Sequence, residues 1–352
     1  MELLKTSALI EAGIGHLHGG AQLYVWADGQ AHDWAFGDMA PETRALWMSS
    51  VKPFTALAVA RLVEAGKVAW QDPLAKHVPA FGANGKEAVT LWHVMTHTGG
   101  FRAPHASWKP AELGDIVERI CAAGLEPGWV PGEKAGYHPD TSWYVLAELV
   151  LQVDGRPIDV VLREDIFAGF GMTNSFLGIP EHEQDERVGV VWSSHKGALR
   201  KKAPLNHPEV VALVRPGGNG RGPARELGHF YRSLLEGGGG VVGEAILAEM
   251  TKVRHREGMF DQTFQHIIDF GLGFMLNGNR YGADTVPYGF GRHAGENAFG
   301  HGGSQSTMAF ADPDHGIAVA LVFNGMPGEL AHQQRMRSCL TALYEDLGLV
   351  AG

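Results

Sequence analysis

The chain has 352 residues, an apolar fraction of 45%, a charged fraction of 19% and a formal net charge of −10 at pH 7. This length allows one large domain or two lobes around a sizeable core. The negative charge argues against nucleic-acid binding, which needs basic patches, and the sequence lacks the run of about 18 apolar residues that spans a membrane.

The N-terminal part of the chain predicts a short helix and a hairpin. A helical pattern covers about residues 4 to 18. The apolar segments 22–26 and 31–37 flank the turn Asp28-Gly29 and predict two antiparallel strands.

Ser49 and Lys52 form a Ser-x-x-Lys motif at the start of the next predicted helix, which ends near Gly66. Residues i and i+3 share one helix face, so the lysine amine can come within hydrogen-bond reach of the serine hydroxyl. A lysine with a lowered pKa can take the proton of a serine and activate it as a nucleophile. Pro53 fits the first helical turn, where the helix dipole favours an alkoxide at Ser49. The alternative is an ordinary helix start with Ser49 or Ser50 as its cap.

A second Ser-x-x-Lys motif, from Ser193 to Lys196, lies in a different context. It runs into Gly197 and the basic segment 200–202, with no apolar helical pattern behind it. We therefore interpret it as a polar loop without catalytic function. The glycine-rich run 238–243 follows a helical stretch rather than a strand, which indicates a flexible turn and not a dinucleotide-binding loop.

Helical patterns dominate the middle of the chain, and strand patterns dominate its C-terminal part. Predicted helices cover residues 89–97, 141–153, 158–167, 224–235 and 244–250, whereas loops are predicted for residues 175–222. Strand patterns then cover residues 270–276, 307–311 and 317–323, and a closing helix covers about residues 328–346.

Strands at both ends of the chain, with helices between them, predict an α+β fold. We expect one antiparallel sheet that is built from both chain ends and flanked by helices, with a mostly helical lobe inserted. Residues 1–60 and 245–352 are assigned to the sheet lobe and residues 61–244 to the helical lobe, with the active site between the two.

Two short clusters lie just before predicted elements. Residues 137–139 read Tyr-His-Pro before the helix at 141, and residues 301–304 read His-Gly-Gly-Ser before the strand at 307. Together with Ser-x-x-Lys, they make the chain resemble the serine β-lactamase and penicillin-binding-protein superfamily. It is most similar to the branch that holds class C β-lactamases, family VIII carboxylesterases and D-aminopeptidases. The resemblance covers most of residues 20 to 325 and implies a β-lactamase/transpeptidase-like fold.

The resemblance implies a role for each motif residue. Ser49 would form an acyl-enzyme, with Lys52 as the base or its partner. Tyr137 would shuttle protons, and the nearby Lys52 would lower the pKa of its phenol. The backbone N–H groups of Ser49 and Ser304 would form the oxyanion hole.

The third motif would contact the substrate through His301, Gly302 and Gly303. His301 takes the place of the lysine that is usual in this motif, and the two glycines would let the strand backbone approach the substrate closely. Without the resemblance, Tyr137 would be a packing residue and His301 a polar strand residue.

The second motif departs from the family pattern, because it lacks the asparagine that binds the amide side chain of lactams and peptides. Pro139 stands in its place and has neither a side-chain donor nor an N–H group. The missing lysine at position 301 removes a partner for the ring carboxylate of β-lactams. Both changes argue against efficient β-lactam hydrolysis and favour esters or unusual amides. His138 is either a new polar contact to the substrate or a structural residue.

Three functions remain open. The first is an esterase-type serine hydrolase that acts on a small ester or amide, with weak β-lactamase activity. The second is an acyltransferase that passes the acyl group to an amine or alcohol in biosynthesis, and the third is a non-catalytic binding module. The expected partner is a small-molecule acyl substrate, joined in the second case by an amine acceptor. We expect no metal, cofactor, nucleic acid or membrane.

Other residues have predicted structural roles. His93 and His97 are expected to hold a loop. Four tryptophans of the helical lobe either line an apolar cleft or fill the core, namely Trp108, Trp129, Trp143 and Trp192. Cys121 and Cys339 predict free, buried thiols in a reducing compartment. Because residues 1–6 also lack the features of a signal peptide, we expect a cytoplasmic protein.

Overall fold

The computed structural model of the protein describes residues 1–350, apart from the side chain of Ala203. The α-helices are α1 (Leu4–Ala12), α2 (Lys52–Glu64), α3 (Leu91–Met95), α4 (Leu113–Ala122), α5 (Thr141–Asp154), α6 (Ile158–Val161), α7 (Ala203–Asn206), α8 (Pro208–Val211), α9 (Ala224–Leu235), α10 (Glu244–Lys252) and α11 (Glu329–Asp346). A π-helical segment, Leu162–Phe167, continues α6, and single 3₁₀ turns lie at Ser49–Val51, Leu74–Lys76, Pro79–Gly82, Glu181–Glu183 and Asn279–Tyr281.

The strands are short outside the main sheet. They are β1 (Gly20–Ala27), β2 (Gln30–Gly37), β3 (Ala45–Met48), β4 (Phe176–Leu177), β5 (Trp192–His195), β6 (Ala198–Lys201), β7 (Gly220–Gly222), β8 (Phe260–Asp261), β9 (His266–Ile267), β10 (Met275–Leu276), β11 (Phe299–Gly303), β12 (Thr307–Asp312), β13 (Ile317–Phe323) and β14 (Gly325–Met326).

The main sheet has six antiparallel strands in the order β10-β11-β12-β13-β1-β2. The N-terminal strand β1 pairs with the C-terminal strand β13, and Leu23 lies opposite Leu321. The two hairpins that the sequence predicted, β1–β2 and β12–β13, are therefore joined into one sheet. This agrees with the expectation that both chain ends build a single sheet.

Helices cover both faces of the main sheet. On β13, Ala318, Ala320 and Val322 belong to the apolar core that also contains residues of α2 and α9. Val319 and Leu321 belong to a second core, which contains residues of α1 and α11. The alternation follows from the strand geometry, since successive side chains point to opposite faces.

The first helix is shorter than its sequence pattern predicted. It ends at Ala12 because the chain turns through Gly13 and Gly15, which has a φ of 88°. His18 then folds back, and its Nε2 donates to the carbonyl oxygen of Ile10 at 3.0 Å. Two glycines within three residues thus override a weak helical pattern.

The predicted strand 270–276 was wrong in most of its length. Only Met275–Leu276 is a strand, because the chain reverses between Phe270 and Met275. Gly271 donates its N–H to the carbonyl of Phe274, and Gly273 has a φ of 76°, which favours glycine.

Residues 175–222, predicted as loops, contain four short strands and two short helices. The second Ser-x-x-Lys motif lies in the hairpin β5–β6 rather than in a polar loop, with Lys196 at its turn. Helix α4 was not predicted, although its buried residues Ile116, Val117 and Ile120 show helical spacing.

Cys121 and Cys339 are free and buried, as predicted. Of the four tryptophans, Trp129 and Trp143 are buried, and Trp108 stacks on the guanidinium of Arg215. Trp192 is half-buried, and its Nε1–H donates to the Oδ2 of Asp38 at 2.8 Å. None of the helices found in residues 1–350 has the length and apolar character needed to cross a membrane.

Candidate active site

Ser49 stands at a sharp turn between β3 and α2. Met48, the last residue of β3, has a φ of 50° and a ψ of −132°, a backbone conformation that residues other than glycine rarely adopt. Such strained positions cost on the order of 1–3 kcal/mol and cluster at functional sites. The turn makes Ser49 the first residue of the 3₁₀ segment Ser49–Val51 that leads into α2.

Lys52 is fully buried beside the hydroxyl of Ser49. Its Nζ lies 3.0 Å from the Oγ of Ser49, and it donates to the carbonyl oxygens of Pro139, at 2.9 Å, and Gly217. A neutral amine has two protons and one lone pair. Because the two carbonyls can accept both protons, the lone pair is left for the hydroxyl proton of Ser49.

Burial lowers the pKa of Lys52 to about 7, because an ammonium loses its hydration in the interior. The carboxylate of Asp140 acts in the opposite direction, and the guanidinium of Arg215 lowers the pKa further. These two charges form an ion pair at 3.0 Å, so they largely offset each other at Lys52. The amine can therefore be deprotonated near neutral pH.

Tyr137 is fixed by a buried ion pair. Its backbone N–H donates to the Oδ1 of Asp261 at 3.2 Å, and the Oδ2 of Asp261 accepts from Arg256 at 2.8 Å. Asp261 and Arg256 are both fully buried. The Tyr137 carbonyl accepts from the hydroxyl of Thr263 at 2.9 Å, and the Nζ of Lys52 lies 5.4 Å from the centre of the Tyr137 ring. The three motif residues Ser49, Lys52 and Tyr137 are thus brought together.

The expected direction of the Tyr137 pKa shift was wrong. Burial raises the pKa of the Tyr137 phenol, and a hydrogen bond with Ser49 opposes that shift only in part. The loss of hydration is the main cause, because the phenolate would be a charged group in the interior, and the carboxylates of Asp140, Asp261 and Glu329 raise the pKa of Tyr137 further. Tyr137 is therefore a neutral proton donor at pH 7 rather than a phenolate.

The glycines of the third motif allow close contact with protein atoms. A Cβ atom at Gly303 would lie 2.1 Å from the carbonyl oxygen of Trp47, so β11 can approach β3 only with glycine there. A Cβ atom at Gly302 would lie 2.2 Å from the ring of Tyr288. Gly302 also lines the cleft described below, whereas Gly303 serves the packing of β11 against β3.

Ser49 and Ser304 lie at the ends of regular elements. Ser49 begins a helical turn, where N–H groups have no intrahelical partner. Ser304 follows the last residue of β11. Their N–H groups are the candidates for an oxyanion hole, and this assignment remains a prediction.

His301 lines the cleft as a neutral ring. Its Nδ1 donates to the carbonyl oxygen of Gly302 at 2.8 Å, so its Nε2 is an acceptor. This Nε2 is buried and has no hydrogen-bond partner in the described part of the chain. Burial, aided by Lys52, lowers the pKa of His301 to about 3. His301 therefore does not supply the positive charge of the lysine that it replaces.

His138 does not contact the cleft, so its predicted role in substrate binding is corrected here. The side chain is fully buried, and its Nε2 accepts the backbone N–H of Phe101 at 3.1 Å. The backbone N–H of His138 donates to the Nδ1 of His97 at 3.1 Å. Burial lowers the pKa of His138 to about 4, so it is a neutral structural residue.

His93 and His97 also hold backbone segments in place, as expected. The Nδ1 of His93 accepts the backbone N–H of Thr90 at 2.9 Å and so caps α3. His97 accepts the backbone N–H of His138 and so holds in place the segment that contains Tyr137.

The cleft has a volume of about 450 Å³ and a largely apolar lining. Its lining residues are Ser49, Tyr137, Pro139, Thr263, Phe264, Met275, Pro287, Tyr288, His301, Gly302, Ser304, Glu329 and Gln333. The sequence analysis did not identify Phe264, Tyr288 or Glu329, and no motif marks these positions. None of the four tryptophans proposed for a cleft is among the lining residues. Within residues 1–350, no cluster of three or more His, Cys, Asp or Glu side chains is suited to a metal ion.

Comparison with known proteins identifies relatives along most of the chain. The family model described as beta-lactamase matches residues 7–340. An esterase/beta-lactamase, LipL, of Mycobacterium tuberculosis is 26% identical over 88% of this chain and 78% of its own. Esterase EstB of Burkholderia gladioli is 26% identical over 88% of this chain and 86% of its own.

A solved structure shows the same fold. That protein is described as EstCE1, a hydrolase with promiscuous acyltransferase activity, and it aligns with a TM-score of 0.78 at 17% identity over 97% of both chains. The match confirms the predicted fold, an antiparallel sheet with helices of the β-lactamase/transpeptidase type.

Proposed function

The chain belongs to the beta-lactamase family, and from this we propose that it is a serine hydrolase of the esterase type that acts through an acyl-enzyme at Ser49. The observation that carries the proposal is the 3.0 Å distance between the Ser49 hydroxyl and the buried amine of Lys52 at the cleft. The names of the two esterase relatives support the same reaction class.

Acylation begins when the lone pair of Lys52 accepts the hydroxyl proton of Ser49. The Oγ of Ser49 then attacks the carbonyl carbon of the ester, and the N–H groups of Ser49 and Ser304 stabilise the oxyanion. As the intermediate collapses, the ester C–O bond breaks. The phenol of Tyr137 gives its proton to the leaving alkoxide and regains one from the Lys52 ammonium.

Deacylation repeats these proton transfers with water. Lys52, neutral again, takes a proton from a water molecule by way of Tyr137, and the hydroxide attacks the acyl carbon. The bond from the acyl carbon to the Oγ of Ser49 then breaks, and Oγ recovers a proton from Lys52. One ester and one water give one acid and one alcohol, and the enzyme returns to its initial state.

The cleft is poorly suited to the carboxylate of a β-lactam. Pro139 lines the cleft without a side-chain donor, and its carbonyl already accepts from Lys52. His301 is neutral, and Glu329 adds a negative charge to the lining. A substrate carboxylate would therefore meet no cation and one anion in this cleft.

We expect kcat/KM for a short-chain nitrophenyl ester to exceed that for a chromogenic cephalosporin by at least ~10-fold, a difference of roughly 1.4 kcal/mol. Both values are measured at steady state with the wild-type enzyme, and the Ser49→Ala variant gives the background for each substrate. A cephalosporin value equal to the ester value, or above it, would refute the proposed preference.

Acyl transfer to an amine is a second candidate for the same acyl-enzyme. The cleft volume of about 450 Å³ leaves room for an acceptor beside the acyl group, and its apolar lining disfavours bulk water. Positioned nucleophiles reach effective molarities of ~10⁵ M or more, so a bound amine can compete with water.

The product ratio tests this second candidate. We expect an acyl ester supplied with a panel of primary amines to give amide above the background of Ser49→Ala, with the amide-to-acid ratio rising with amine concentration. Formation of acid alone, with every amine tested, would leave hydrolysis as the reaction.

A further inference from the structure

We propose that Glu329 makes this cleft selective for acyl substrates that carry a positively charged nitrogen. The inference rests on the serine hydrolase function proposed above and names its substrate class. It starts from the position of Glu329, which is the first residue of α11 and lines the same cleft as Ser49 and Tyr137.

The carboxylate of Glu329 is held in place by two hydroxyl groups. Its Oε1 accepts from the Oγ of Ser304 at 2.5 Å, and its Oε2 accepts from the hydroxyl of Tyr288 at 2.8 Å. Tyr288 is itself fixed to α11, because its backbone N–H donates to the side-chain oxygen of Gln333 at 2.8 Å. Each carboxylate oxygen keeps a further acceptor site for a ligand.

The carboxylate of Glu329 has no cationic partner among residues 1–350. Within residues 1–350, no lysine or arginine forms an ion pair with Glu329, and the side chain remains exposed. Among the described residues that line the cleft, Glu329 alone carries a full charge, since His301 is neutral. The nearby Lys52 is committed to Ser49 and to two carbonyl groups.

The lining also has an acceptor that lacks a donor. The Nε2 of His301 is buried, has no hydrogen-bond partner among the described residues and can only accept, because Nδ1 holds the proton. Buried acceptors without a donor are rare in folded proteins. The polar part of the lining thus offers an anion and a free acceptor, and both suit a cationic or proton-donating group.

The aromatic residues at the cleft fit the same ligand. Phe264 and Tyr288 have ring centres 5.8 Å apart, and both line the cleft. Ring faces attract alkylammonium groups, which are also drawn to a carboxylate. An ammonium group therefore meets favourable charge and favourable surface together, whereas a carboxylate meets neither.

The test uses pairs of esters that differ only in charge. The first pair is butyrylthiocholine and the thioester in which a tert-butyl group replaces its trimethylammonium group, so that the cation lies in the leaving group. The second pair is the nitrophenyl ester of trimethylammoniobutanoic acid and its tert-butyl isostere, so that the cation lies in the acyl group. The measured quantity is the ratio of kcat/KM for the cationic ester to that for its isostere.

We expect the wild type to favour the cationic member of at least one pair by about tenfold, and 1 M salt to reduce the preference, because it shortens the screening length to ~3 Å. Glu329→Gln should bring the ratio to about one. Glu118→Gln is the matched control, because it removes the same charge from an exposed position on α4, outside the cleft, and it should keep the wild-type ratio.

An unchanged ratio in Glu329→Gln for both pairs would overturn the inference while leaving the hydrolase function intact. Failure of all four esters to react would instead contradict the proposed function. The charge preference would then be measured by calorimetry as the affinity of each unreacted ester. Equal affinities of the wild type for cationic and neutral members would refute the role of Glu329 in that case as well.

Discussion

Replacement of Ser49 by alanine is expected to lower kcat/KM for esters by at least ~10³-fold, because the variant has no atom that can form the acyl-enzyme. Incubation of the wild type with a fluorophosphonate, followed by peptide mass spectrometry, should place one adduct on Ser49. Labelling and turnover would also distinguish the enzyme from a non-catalytic binding module with the same fold.

Ser193→Ala is the matched control for this experiment, because Ser193 begins the other Ser-x-x-Lys motif. Its hydroxyl donates to the carbonyl of Arg200 at 3.2 Å within a hairpin, and Lys196 is exposed at the turn. No buried amine activates it, so this variant should keep wild-type turnover and labelling. An adduct on Ser193, or one that persists in Ser49→Ala, would sink the assignment of the nucleophile.

Lys52 and Tyr137 are expected to act as one proton-transfer unit. Lys52→Arg and Tyr137→Phe should each lower kcat by at least ~10²-fold, because arginine cannot give up its proton and phenylalanine has none to transfer. The losses should be far from additive in the double variant, since either change alone interrupts the same transfer. Near-full turnover in Tyr137→Phe would show that the tyrosine only packs.

The pH dependence follows from the lowered pKa of Lys52. Below about 7 the amine is protonated and cannot accept the Ser49 proton, so kcat/KM should fall about tenfold per pH unit on the acid side. Above that pH the amine is neutral and the rate should level off. Because burial raises the pKa of Tyr137, its ionisation should cause no loss of rate between pH 7 and roughly 10.

Lys86→Arg is the control that separates the expected effects of Lys52→Arg on turnover and on the pH profile from the loss of stability that any change of a buried lysine causes. Lys86 is fully buried, and its Nζ donates to the carbonyl oxygens of Ala83 and Cys121, at 2.9 and 3.1 Å, away from the cleft. This variant should keep the wild-type pH profile, even if its melting temperature falls. A pH profile in Lys52→Arg that matches the wild type would contradict the role of Lys52 as the base.

The sequence was sufficient to predict that Ser49, Lys52 and Tyr137 lie close together, but it predicted neither the electrostatics of these residues nor the rest of the cleft lining. Ser49 and Lys52 are three residues apart on a helical pattern, so their contact is local and could be predicted. The direction of the Tyr137 pKa shift depends on how deeply the ring is buried, which residues far along the chain decide. Asp261, for example, holds Tyr137 from 124 positions away.

Contacts with distant parts of the chain also explain why the positions of the His138 and Glu329 side chains were not predicted. His138 follows Tyr137 in the second motif, but its neighbours His97 and Phe101 draw it into the core rather than the cleft. Glu329 begins a helix that the sequence did predict. Its place beside Ser304 depends on how α11 packs against the sheet, which no local pattern encodes.

The errors in the secondary-structure prediction have local causes in the sequence. The helix α4 could have been predicted, since Ile116, Val117 and Ile120 are spaced for one helix face. The strand pattern at 270–276 was misleading because Gly271 and Gly273 let the chain reverse within an apolar run.

The pairing of β1 with β13 has a consequence for biosynthesis and for screening. The cleft needs Ser49 from the first part of the chain and Ser304 and Glu329 from the last, so nearly the whole polypeptide must be synthesised before the site can form. Contacts between such distant segments form slowly and late. Ester turnover in a cell lysate therefore reports completed folding. In a library screen, truncated or partly folded chains should show no ester turnover even when they accumulate.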